Sequence, residues 1–242
     1  MSNLQSSTSC EASHAHLLED VGQGAEFSMK LGPKSRDLIV PIRSLGENHR
    51  GRIAGHLLAL DATDRYFRFG FFASDDQIRR YVESLDFDHD EIFGIYNRRL
   101  SLIAMAHLAF SIDMPLHPIA EFGVSVLPKA RGRGYGARLF DRAVMHARNR
   151  GVQTLFVHAL SENAAMLRIA RNAGACVERD GSESKAHLSL PPATFNTQFA
   201  EIVEEQMAQT NYQFKLSAKQ FQDTVARIQD IWRGAGCGDR VE

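Results

Sequence analysis

Cysteine is scarce in this sequence: Cys10, Cys176 and Cys237 are the only three in 242 residues. They are far apart and no CxxC pair occurs, which argues against a disulfide framework or a metal centre and for a reducing compartment. Excess charge is lacking too. Lys and Arg number 28 against 29 Asp and Glu, a formal net charge of −1, so no global field draws the chain to nucleic acid or anionic membrane. There is no run of ~18 apolar residues and no charged-then-apolar leader pattern at the start. A soluble, cytoplasmic protein with neither nucleic acid nor membrane as partner is therefore expected. Two nucleotide-binding signatures are also missing: no G-K-[ST] P-loop is present, and no G-x-G-x-x-G opens a dinucleotide-binding unit.

What is present reads as one medium domain with extensions. The apolar fraction of 44% is enough to build a core without staples. Residues 1–35 are rich in Ser, Gly, Glu and His with weak periodicity, and read as a flexible arm. Over 36–191 strand and helix patterns alternate. "RDLIVPIRS" reads as a first strand. Ile53, Leu57, Leu58 and Leu60 recur at helical spacing, which predicts a helix ending near Asp61. "SDDQIRRYVESL" predicts a second helix, with Ser74 and Gln77 as a capping box. "EIFGIYN" and "LSLIAMAHLAF" read as a hairpin, and "IAEFGVSVL" as a further strand. A helix from about Gly134 to Arg150 follows, then "TLFVHAL" as a strand, an Asn163-capped helix ending at Gly174, and a closing strand at "KAHLSL", with "ACVER" as a further candidate strand. After Pro191 and Pro192 the pattern is helical only. Phe195, Phe199, Ile202, Val203 and Met207 are expected to line one face of this 192–242 extension, and Phe221, Val225, Ile228, Ile231 and Trp232 another. These helices can pack on the domain or form a homodimer.

One stretch carries most of the chemistry. "LPKARGRGYGARLF", Leu127 to Phe140, sets cations and three alternating glycines between a predicted strand and an amphipathic helix. A helix start leaves amides unpaired and carries partial positive charge. Glycines let a ligand approach those amides closely, and Arg131 and Arg133 add donors that grip phosphate. A basic disordered nucleic-acid segment would extend the Arg/Gly pattern much further. Here the pattern stops at Gly136 and an apolar helical stripe begins at once, so a phosphate cradle is the better reading.

Arg131-x-x-Gly134-x-Gly136 resembles the acyl-CoA-binding motif of the GNAT N-acetyltransferase superfamily. The succession of strand, loop, helix, strand and Asn-capped helix over Ile119 to Leu190 is similar to that family. "LDATDRYFRFG" resembles the front of some bacterial members, including protein acetyltransferases. The resemblance implies an α/β fold: a mixed, mostly antiparallel central sheet flanked by helices, here with a C-terminal helical extension. It implies acetyl-CoA as co-substrate with no metal, and a primary amine on a small molecule or protein as acceptor. By the same resemblance, amides of Arg131, Gly132, Arg133, Gly134, Tyr135 and Gly136 hold the pyrophosphate. Main-chain groups of Val124, Ser125 and Val126 line the pantetheine arm, and Asn163 either touches that arm or only caps its helix.

An amine nucleophile must lose a proton at neutral pH. Glu121, on the strand leading to the loop, is the candidate base, with His107 on the adjacent strand as a second candidate acting directly or through water; His117 and His158 rank below them. Many members of the family carry a tyrosine seven residues after the asparagine, to protonate the leaving sulfur. This sequence has Ala170 there. That departure keeps a non-catalytic acyl-CoA-binding sensor or adaptor open as the alternative. The acidic run Asp86 to Glu91 reads either as a solvated face or as an attractor for a cationic acceptor.

Overall fold

A computed structural model of the protein describes residues 40–111, 118–194, 197–198, 200–210 and 212. The arm over 1–35, His117 and the tail residues from Phe221 to Trp232 lie outside them. Seven strands form one sheet: β1 (Ile42–Ser44), β2 (Glu91–Tyr96), β3 (Leu102–Phe110), β4 (Ile119–Val126), β5 (Thr154–Leu160), β6 (Cys176–Asp180) and β7 (Glu183–Ser189). Their spatial order is β1-β2-β3-β4-β5-β7-β6. Every neighbouring pair is antiparallel except β4 and β5, which run parallel. The fold is the mixed, mostly antiparallel α/β sheet expected from the sequence.

Five helices cover the two faces: α1 (Arg50–Leu58), α2 (Ala62–Phe69), α3 (Asp75–Glu83), α4 (Tyr135–Asn149) and α5 (Ala164–Asn172). Their boundaries have local causes. Ser74 and Gln77 form the reciprocal capping box at the head of α3. The helix expected to run on to Asp61 instead stops at Leu58, and Asp61 opens a separate helix, α2. Its carboxylate accepts from the Asp64 amide at 2.8 Å, and Gly70 closes α2 at φ 80°. An aspartate that can cap competes with helix continuation. The apolar rhythm hid the break because Leu60 still packs into the same core as Ile53 and Leu57.

Two cores result, one on each face of the sheet. Leu139, Phe140, Ala143 and Ala147 of α4 and Met166, Leu167 and Ala170 of α5 bury against Phe93, Ala106, Leu108 and Phe122. The Phe122 and Phe140 rings meet edge to face at 5.0 Å. On the other face Ile53, Leu57, Ile78 and Val82 close over Ile92 and Met105. The strand β3 is thus covered on both sides, which is why "LIAMAHLAF" lacks a polar alternation.

The described part of the tail packs on this same domain. Residues 200–210 are helical, but Ile202, Val203 and Met207 are exposed at 60%, 39% and 49%, so they do not line an inward face. The contact is polar instead. Arg142 of α4 donates to Glu205 at 3.2 Å, His146 pairs with Glu201, and Arg43 donates to Gln209 at 2.8 Å. Ala208 and Tyr212 are the buried residues of this segment. A buried Arg142 has to find carboxylates, and that requirement outranks the apolar spacing of the helix.

Candidate active site

The site begins where two strands part. Between β4 and β5 the ladder runs over only three rungs, Ile119↔Thr154, Ala120↔Leu155 and Glu121↔Phe156. Against β3, by contrast, β4 stays paired as far as Val126. The Leu127 amide donates to the Ile103 carbonyl at 3.0 Å and the Ser111 amide to Ile119 at 3.1 Å. These bonds set the parity of the antiparallel pair: odd-numbered residues of β4 bond to β3, and even-numbered ones turn their N–H and C=O groups to the opposite edge. The Phe122 carbonyl, both main-chain groups of Val124 and the Val126 amide therefore lie past the last β5 rung, which itself uses the Phe122 amide. They open on a cleft of about 890 Å³, whose other walls include Tyr135, His158, Asn163 and Ile169.

The glycine loop sits at one end of that cleft. A single 3₁₀ turn, Pro128–Ala130, ends β4, and the chain then reverses through Gly132 at φ 74° and Gly134 at φ 75° into α4. Positive φ at both positions requires glycine. The Arg131 amide is already bonded to Pro128, and the first helical bond is Arg138 to Gly134. Among the described residues, no main-chain partner takes the amides of Gly132 through Ala137. A Cβ on Gly132 or Gly134 would meet nothing within 4 Å. Free amides at a helix head, with open space above them, form an anion cradle.

The arginines divide. Arg131 ion-pairs with Asp64 of α2, and its Nε donates to the Val126 carbonyl at 3.3 Å. Arg133 is exposed and lies outside the cleft lining. Deeper in, α2 contributes Arg68. Its guanidinium rests on the Cα of Gly123, where any Cβ would come within 2.8 Å of Nη1. Arg68 Nη2 donates to the Tyr81 hydroxyl at 2.8 Å, Tyr81 Oη donates to His107 Nδ1 at 2.8 Å, and His107 Nε2 donates to Asp90 at 2.8 Å. The chain is directional, since a phenol receiving a bond from arginine has its own proton left to give. Burial holds the His107 imidazole below its usual pKa, with Arg68 adding to the effect and Asp90 opposing it.

Comparison with known proteins agrees with this geometry. The model of the acetyltransferase (GNAT) family matches residues 56–175. This segment is a GNAT acetyltransferase domain. Among solved structures, the GNAT domain of S. lividans PAT superposes with a TM-score of 0.53 at 19% identity, covering 62% of this chain and 89% of that one. A putative acetyltransferase from Acinetobacter baylyi ADP1 gives 0.52 at 14% identity, covering 63% and 93%. No match was found among the curated proteins. Identities this low speak for the fold alone. Acetyl-CoA is the acyl donor this family uses.

Within the GNAT domain the sequence-derived residues fall into distinct environments. Val124, Val126, Gly132, Gly134, Tyr135, Gly136 and Asn163 all line the cleft. Asn163 also caps α5, its Oδ1 accepting from the Met166 amide at 3.1 Å. Gly136 has a packing role besides, because a Cβ there would sit 3.1 Å from Ile169 Cδ1. Glu121 occupies the last β5 rung, at the point where the strands part. It is 58% exposed in its side chain, with His158 Nδ1 3.5 Å away. Ala170 is fully buried in the α4–α5 core. Of the acidic run, Asp86 folds back onto the amides of Asp88 and His89, whereas Asp90 turns inward to His107.

Ser125 also lines the cleft, but its polar groups are engaged elsewhere. Parity sends its main chain to β3, and its hydroxyl lies 2.8 Å from His56 Nε2. The other ring nitrogen, Nδ1, is 3.1 Å from the Leu102 carbonyl and must donate to it, so Nε2 accepts from Ser125. Burial, foremost, lowers the His56 pKa to about 4. A histidine held neutral when folded but free to protonate when unfolded stabilises the fold fully above pH 6.5. That contribution is lost as pH falls from 6.5 toward the folded value. The loss amounts to about 3 kcal/mol in order of magnitude. Urea unfolding at pH 7 and pH 4.5 should show this drop in wild type, and His56→Gln should flatten it. An equal slope in both proteins would remove His56 as the cause.

Sequence reading missed α2 and with it Asp64, Arg68 and the Tyr81 link. The signal was present as an Asp61 cap and a Gly70 stop bracketing eight residues.

Proposed function

We propose that the domain is an N-acetyltransferase that moves an acetyl group from acetyl-CoA to a primary amine within a ternary complex. The observation that carries this reading is the run of unpartnered amides from Gly132 to Ala137 at the end of a cleft opened by the divergence of β4 and β5. A pyrophosphate fits those amides, and an extended amide-bearing arm fits the open edge left by the Phe122 carbonyl, Val124 and the Val126 amide, as an added strand would. Acetyl-CoA supplies the activated acyl group. In this reading an open β4 amide, such as that of Val124, polarises the thioester carbonyl as charge develops on its oxygen.

In the transfer, a nitrogen–carbon bond forms as the carbon–sulfur bond breaks, one proton leaves nitrogen and sulfur departs as thiolate. Glu121 is the proposed proton acceptor, standing at the apex of the fork with solvent access through which the proton leaves. His107 is poorly disposed to act directly, because both ring nitrogens are engaged; it holds Tyr81 and Arg68 in place. Ala170 provides no acid, so the thiolate departs unassisted or is protonated by water.

The test is acetyl-CoA binding by calorimetry, followed by release of free CoA thiol with a panel of amines and mass spectrometry of the product. Binding with turnover is expected. Binding without any turnover across the panel would leave a sensor module, and absence of binding would remove the assignment.

A further inference from the structure

We infer that the amine acceptor carries a carboxylate, which Arg68 recognises at the apex of the cleft. This rests on the transferase reading above and narrows its substrate class. Arg68 lines the cleft beside Gly123, next to the main-chain groups assigned to the reacting end of the donor. No carboxylate lies within ion-pair distance of it among the described residues. The nearby acids have other contacts: Asp64 pairs with Arg131 through Oδ1, its Oδ2 being buried without a hydrogen-bond partner, Glu121 lies against His158, and Asp90 receives His107. Arg68 Nε is buried with no hydrogen-bond partner, and only Nη2 has a donor bond, to Tyr81.

An arginine in this state is costly unless something answers it. It is nevertheless held firmly. The guanidinium lies beside the rings of Phe69 and Tyr81, at 5.3 and 5.5 Å from their centroids; the two rings meet each other edge to face, and the Tyr81–His107–Asp90 chain fixes the tyrosine that orients it. Gly123 clears the space it occupies. A pre-oriented guanidinium with unsatisfied donors matches a carboxylate, which accepts two parallel bonds. The same fixed charge repels a second ammonium, so a polyamine is the wrong acceptor for this cleft.

The experiment compares matched acceptors with acetyl-CoA: free L-amino acids, the same compounds as carboxamides, lysine peptides with and without an acidic neighbour, and spermidine. CoA release is read for wild type, Arg68→Gln and Arg68→Lys, with acetyl-CoA affinity measured for each by calorimetry. Carboxylate acceptors should exceed their carboxamides by about tenfold or more in kcat/KM. Arg68→Gln should erase that gap while acetyl-CoA affinity persists, and Arg68→Lys should keep part of it. Preference for free amino acids or for acidic peptides identifies which molecule brings the carboxylate, and either supports the inference. Equal rates for acid and amide in wild type, a gap that survives Arg68→Gln, or a preference for spermidine would each overturn it. If acetyl-CoA binds but no carboxylate amine reacts, this inference fails without the coenzyme assignment. If acetyl-CoA does not bind wild type, the transferase reading fails and takes the inference with it.

Discussion

Gly134→Val is expected to weaken acetyl-CoA binding at least ~100-fold while leaving the two cores intact. Gly134 sits at φ 75°, a region that a β-branched residue adopts only with strain. To relieve that strain the loop must rotate, and rotation turns the amides of Gly132 through Ala137 away from a common point. If the loop does not rotate, the isopropyl group occupies the open space above those amides. Either way the pyrophosphate loses several charge-assisted bonds. Each is worth roughly 1.5–3 kcal/mol, so the loss of two accounts for a factor of ~100 or more. The fold has no stake in that space, since a Cβ at Gly134 meets no atom within 4 Å. Gly136→Val is a poorer test, because its side chain would press on Ile169 and weaken the α4–α5 contact as well. Unchanged affinity of Gly134→Val in calorimetry would remove the cradle from the mechanism.

Glu121→Gln should lower turnover by about 10²- to 10⁴-fold, the usual contribution of a positioned base, with acetyl-CoA affinity kept. The side chain is largely exposed and its contact is with the equally exposed His158, so the amide variant removes a proton acceptor without opening the core. The position is informative in itself. Glu121 is the last residue of β4 that pairs with β5, and the Phe122 carbonyl is the first outward main-chain group beyond that rung. A group there stands beside the reacting end of the donor and still reaches solvent. An unaltered rate in Glu121→Gln would shift attention to His158, the lining residue next to it.

The glycine loop was legible because its geometry is local. Glycines at positive φ, a helix that starts at the last of them, and an apolar stripe behind it are all written within fourteen consecutive residues. The Ser74 capping box and the Asn163 cap were legible for the same reason. The tail's contact with the domain was not legible, because it is made by the buried Arg142 with Glu205, just over sixty residues further on, and not by the apolar stripe of the tail helix. The split of α1 from α2 was hidden because both helices feed one core.

By itself, then, the order of residues determined the element pattern, the mixed sheet and the glycine loop that heads α4, since each depends on neighbours within a turn or a strand. Only the tertiary structure decided the rest. It set which edge of β4 is left open, because strand parity depends on pairing with β3. It also joined Asp90, His107, Tyr81 and Arg68 into one chain from three separate elements and the loop before β2, because side chains distant in sequence meet only once both faces of the sheet are covered.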